Sequence, residues 1–141
     1  MIRFLNRLQP WALTLLRLVL GVAMLIHGWD KLIPTGGLHR NHLLAGAEAF
    51  THYVAALGLP LWLGYVSVAA EFVGGLCLVV GLLTRFWAIL VAGDLLVAIV
   101  MVDRHHGYSG SQYSLALFVT ALMLVAAGSG ALSLDRRFNI S

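Results

Sequence analysis

The stretch "LPLWLGYVSVAAEFVGGLCLVVGLL", Leu59 to Leu83, decides how this chain folds. A run of this length and apolarity suits the hydrocarbon core of a membrane, which takes about 20 residues of helix to cross. Its middle residue is nevertheless a carboxylate, Glu71. A charged group at that depth costs at least a few kcal/mol unless it finds a partner or water. The run therefore predicts two things together: a membrane-spanning helix, and an interior that has something to offer Glu71.

The rest of the chain agrees with lipid as the main solvent. Of 141 residues, 60% are hydrophobic and 11% charged, whereas a soluble domain carries about 25% charged residues. The length suits one domain over 1–141. The net charge of +3 is spread along the chain and does not suggest nucleic-acid binding. A single cysteine, Cys77, excludes an internal disulfide and thiol redox chemistry within the chain.

Three more segments are long and apolar enough to span: Trp11 to Ile33, Phe86 to Val102 and Ser114 to Leu134. The first has a basic start, like a signal peptide. It is too long, contains Arg17 and lacks a small-residue cleavage site, so it is expected to remain as a helix. Four spans put both ends of the chain on one side. That side holds Arg3, Arg7, Arg85, Arg136 and Arg137 against Asp135, while the other holds Lys31, Arg40 and Arg104 against Asp30, Glu48 and Asp103. The positive-inside rule predicts cytoplasmic termini. The expected fold is all-α: an integral membrane four-helix up-down bundle. Within the long Gly36–Gly58 connection, "HLLAGAEAFTHYVAALG" is too short to span, and Leu43, Leu44, Phe50, Tyr53 and Val54 suggest a helix lying at the interface.

Helical spacing then sorts the polar residues. Arg17, Gly21, Met24, Gly28 and Lys31 form one stripe, with glycines that let a neighbouring helix approach closely. Ala70, Gly74 and Gly75 surround Glu71 in the same way, and Asp94 sits at the middle of the third span. Glu71 is thus expected to face the bundle interior, with the long Arg17 side chain reaching toward it. Two acids near one cation lead us to expect one acid to keep its proton. His27 lies about 7.5 Å and Lys31 about 13.5 Å outward of the midplane by helical rise. Arg17, His27, Lys31, Glu71 and Asp94 are therefore the candidate ligand-binding residues. A cavity opening outward is expected between Glu71, Asp94, His27 and Lys31. A purely structural role, fixing which helix packs on which, is the alternative. The other histidines, His39, His42, His52, His105 and His106, have no acid or cysteine cluster to complete a metal site, and none is expected.

The patterns "LLRLVLGVAMLIHGWDKL", "LGLPLWLGYVSVAAEFVGGLCLVVGLLTR" and "AAGSGALSLD" together resemble the DoxX family of small four-helix bacterial membrane proteins. The resemblance runs over about residues 11 to 137. It places Arg17, Lys31, Glu71, Gly81, Thr84, Arg85, Gly128, Gly130 and Asp135 at matching positions, with Asp94 and the His105–His106 pair matching less closely. The resemblance implies an inner-membrane protein associated with quinone-linked oxidoreductases or with stress and metal responses. On that basis Glu71 or Asp94 would exchange a proton with a bound quinone, and no covalent cofactor is expected. The sequence shows no electron carrier, so electrons would come from a partner enzyme, and whether this chain is itself an enzyme stays open. Membrane lipid and further copies of the chain are the other expected partners. The rivals are a non-catalytic membrane anchor or assembly subunit and, third, a small transporter.

Overall fold

The computed structural model describes residues 2–33, 45–103 and 107–138, and the side chains of 7–33, 45–103 and 111–138. The described residues form six helices: α1 (Ile2–Leu32), α2 (Ala45–Ala56), α3 (Leu61–Val80), α4 (Thr84–Met101), α5 (Gly107–Ala127) and α6 (Leu134–Arg137). No strand occurs among the described residues. Helix α1 packs on α3 and α5, α3 on α4, and α4 on α5, closing a four-helix up-down bundle, while α2 lies against α3 and the end of α1. Leu20, Met24, Leu78, Val91, Leu95 and Leu124 are buried at its centre.

The outside of the bundle is as apolar as the inside. Leu15, Val19, Ile26, Val73, Leu76, Ile89, Leu96 and Leu122 are all exposed. In water, such continuous apolar cover would drive association; in lipid it is the expected surface. Segments Arg7–Leu32, Leu61–Val80 and Thr84–Met101 are long and apolar enough to cross a membrane, and Ser111–Ala127 adds a shorter apolar run within α5. Trp11 and Trp29 are both about half exposed. They lie 18 residues apart on α1, or about 27 Å at 1.5 Å per residue, close to the spacing of the two membrane interfaces.

The glycines on the predicted α1 stripe set the α1–α3 register. A Cβ at Gly28 would come within 2.8 Å of Phe72, and one at Gly21 within 2.9 Å of Val79. Gly75 meets the backbone of Leu25 in the same way. The two helices therefore run antiparallel with backbones in contact, and this fixes which charges can meet.

Helices α1, α3 and α4 overlap the first three expected segments, with α1 extending back to Ile2 and α3 confined to Leu61–Val80. The fourth is displaced. Helix α5 begins at Gly107 rather than Ser114, and ends at Ala127 rather than Leu134. Gly128 and Gly130 both take positive φ, 85° and 83°, a left-handed conformation that stops a helix. Residues 128–133 instead fold back over the end of α1. The N–H of Ala131 donates to the Pro10 carbonyl at 2.9 Å and to Thr14 Oγ1 at 3.0 Å. Apolarity alone made this stretch look like span. Helix α2 lies within the connection predicted to hold an interfacial helix; Leu43 and Leu44 fall outside the described residues.

Candidate functional site

Lys31 lies in the last turn of α1, and α2 begins so close to it that Gly46 has no space for a side chain beside the Leu32 carbonyl. This contact brings Phe50 of α2 over the lysine, with Nζ 3.9 Å from the ring centroid. From there Nζ reaches α3: it lies 2.8 Å from Glu71 Oε2 and donates to Ser67 Oγ at 3.2 Å. Glu71 is 5% exposed. Asp94 of α4 stands beside it, within reach of a side-chain hydrogen bond. Three helices of the bundle thus each contribute a charged group to one cluster, and α2 covers it with an aromatic face.

Next to this cluster is a cavity of about 570 Å³ between α2, α3 and α4, well within the range of small-molecule sites. Lys31, Ser67, Asp94 and Asp103 supply its polar lining, and Phe50, Tyr53, Val66, Ile89, Val97 and other apolar side chains supply the rest. Gly93 also lines it, and a Cβ there would meet no atom within 4 Å.

Glu71, expected on the cavity wall, is not part of its lining, and two further candidate residues lie elsewhere. Arg17 does not meet Glu71. In the α1–α3 register it sits against Gly81, ten residues beyond Glu71 and so about 15 Å away along α3. It is 2% exposed, its Nη2 donates to the Leu132 carbonyl, and its neighbouring charge is Asp135. The expectation aligned the two spans by their midpoints; the glycine contacts shift that alignment by more than a helical turn. His27 does not line the cavity either. Its Nδ1 lies 2.8 Å from the Ala23 carbonyl, and its ring stacks on Tyr113 of α5 at 5.6 Å. Depth alone does not fix azimuth: at about 100° per residue, His27 points roughly 80° away from Arg17, toward α5.

Sequence reasoning missed Ser67 and the role of Phe50. Ser67 was findable: it is the one serine of α3 and lies one turn before Glu71. It also missed what Asp135 does. That side chain, 3% exposed, accepts from the N–H of Leu83 at 2.5 Å and of Thr84 at 2.8 Å. It caps α4 from a distant part of the chain and holds Leu83 at a positive φ of 49°. Among the described residues no group of three or more His, Cys, Asp or Glu could hold a metal ion; His39, His42, His105 and His106 lie outside them.

The DoxX family model matches residues 12–104. The chain belongs to the DoxX family. That match contains Lys31, Ser67, Glu71 and Asp94, and stops short of α5 and the capping turn. Two relatives extend the likeness. "Putative oxidoreductase CatD" of Bacillus subtilis (strain 168) is 30% identical over 122 residues, covering 86% of this chain and 82% of the relative. "Inner membrane protein YqjF" of Escherichia coli (strain K12) is 25% identical over 138 residues, covering 95% and 97%. No solved structure matches significantly.

Proposed function

We propose that this DoxX-family protein is a multi-pass inner-membrane subunit whose cavity binds a quinone, or a similar lipophilic molecule with a polar head, on behalf of a redox or stress-response partner. The observation that carries this reading is the 570 Å³ cavity with Lys31, Ser67 and Asp94 on its wall and Glu71 directly behind. Lys31 is occupied by Glu71, Ser67 and the Phe50 ring. The Ser67 hydroxyl remains as a donor toward the cavity, and Asp94 and Asp103 remain as acceptors. A head whose oxygens accept when oxidised and donate when reduced suits both. Glu71 and Asp94 hold or pass the proton, and electrons come from the partner. The relative named an oxidoreductase and the relative named an inner membrane protein support the setting. The clustering of Arg7, Arg85, Arg136 and Arg137 at one end supports cytoplasmic termini.

A second reading, a non-catalytic anchor, is favoured by the short Lys31–Glu71 contact, which could serve packing alone. Transport is less well supported, because buried Leu20, Met24, Leu78 and Leu124 separate the two polar ends. The test uses protein extracted gently with its native lipid and examined by mass spectrometry. Wild type should carry a quinone, and Gly93→Leu, whose Cβ meets no atom within 4 Å and whose side chain would take up cavity space, should lose it. Equal retention by both proteins, or none by wild type, would leave the anchor reading standing.

A further inference from the structure

At the arginine-rich end of the bundle, Arg85 of α4, Arg136 of α6, Gln9 of α1 and the Gly128–Gly130 turn enclose a second hollow of about 410 Å³. We infer that this hollow binds a phosphate oxyanion carried by the headgroup of an anionic phospholipid. The inference is independent of any ligand in the first cavity.

The first argument is charge without a partner. The Arg85 guanidinium lies over Gly128, with Nη2 3.6 Å and Nε 3.7 Å from where a Cβ would be. Among the described residues neither Arg85 nor Arg136 makes a side-chain hydrogen bond or ion pair. The obvious acid, Asp135, is already spent on the N–H groups of Leu83 and Thr84. Two guanidinium groups on one concave surface suit a phosphate, which they can bind by paired, charge-assisted hydrogen bonds.

The second argument is the backbone between them. Gly128 and Gly130, both left-handed, bracket Ser129. The N–H groups of Ser129 and Gly130 donate no hydrogen bond among the described residues. Unpaired amides in a glycine turn of this kind are available to an oxyanion in the hollow, as they are in anion-binding turns generally.

The third argument is depth, and it favours lipid over free phosphate. Trp11 follows Pro10 on the rim and is 55% exposed, and Phe86 follows Arg85 and is 53% exposed. An exposed tryptophan such as Trp11 marks the headgroup level of a membrane. A bound headgroup would sit there with its acyl chains along the lipid-facing side of α5, which lies between α1 and α4.

The experiment is native mass spectrometry of the full chain in mild detergent, titrated with dioleoyl phosphatidylglycerol or dioleoyl phosphatidylcholine. Wild type should bind the anionic lipid roughly tenfold more tightly. R85Q/R136Q should lose that preference, while R7Q, which removes one charge from the same end outside the hollow, should keep it. R85K/R136K, with charge but no paired donors, should fall between. Both arginines are exposed, so these variants should fold. A preference that is absent in wild type, or that falls equally in R7Q, overturns the inference. Displacement of the lipid by millimolar inorganic phosphate overturns the lipid assignment and gives the oxyanion site to a soluble phosphate.

Discussion

The two ends of this bundle are built from the same ingredients and turn out differently. Each has a cation from the α1 stripe next to an acid from another helix: Arg17 near Asp135 at one end, Lys31 against Glu71 at the other. At the Arg17 end the acid is used up as a backbone cap, and the turn at 128–133 is closed down on α1, so that the hollow on its outer side reaches neither Arg17 nor Asp135. A Cβ at Gly130 would lie 2.7 Å from the Thr14 amide. At the Lys31 end the charges border open volume. A buried charge pair is thus no sign of function by itself. The space beside it decides.

The largest effect should follow from breaking the filled end. Asp135→Ala removes the cap of α4 and the charge beside Arg17 in one step. The loss should be about 2–6 kcal/mol, because two N–H groups lose their acceptor at about 1–3 kcal/mol each, measured by unfolding in mixed micelles. Asp135→Asn, which keeps one acceptor, should cost clearly less. A negligible loss for Asp135→Ala would mean that this end is not the structural clamp.

Next in size is the coupling across the Lys31 end. A double-mutant cycle on Lys31→Met and Glu71→Gln should give an interaction energy of about 1–3 kcal/mol, as contacting pairs do. The same cycle on Arg17→Met and Glu71→Gln should be additive to within about 0.5 kcal/mol. Coupling in the second cycle and not the first would reverse the α1–α3 register.

The smallest stability change should come from Gly93→Ala. It adds a methyl group where nothing stands within 4 Å and removes the helix penalty of glycine, so stability should stay equal or rise by up to about 1 kcal/mol. A loss above that size, read from the same unfolding curves, would show that the cavity is narrower than the structure gives.

How much of this was readable beforehand follows the same divide. The stripe of Arg17, Gly21, Met24, Gly28 and Lys31 was legible because helical period is a local property. So was the inward position of Glu71, because lipid cannot pay for a bare carboxylate. Which cation Glu71 meets was not legible. That depends on the sliding register of two helices, set by contacts such as Gly28 on Phe72 that span 44 positions of sequence. Asp135 capping α4 is further removed still, since nothing near Leu83 announces an acceptor. The Gly-Ser-Gly turn was visible as letters, yet its apolar flanks were read as span. The cavity was expected from depth, and it lies beside Lys31 and Asp94, with His27 pointing elsewhere.

The most direct test of the contrast between a filled end and an open end is Glu71→Gln in lipid nanodiscs, with unfolding midpoint and binding of a short-tailed quinone measured on the same preparation. Glutamine keeps the size of Glu71 and removes only its charge and its titratable proton. The account predicts a stability loss no larger than the Lys31 coupling of about 1–3 kcal/mol and roughly tenfold weaker quinone binding. Unchanged binding, or a large fall in stability with no binding in either protein, would contradict it and make Lys31–Glu71 a second clamp like Arg17–Asp135.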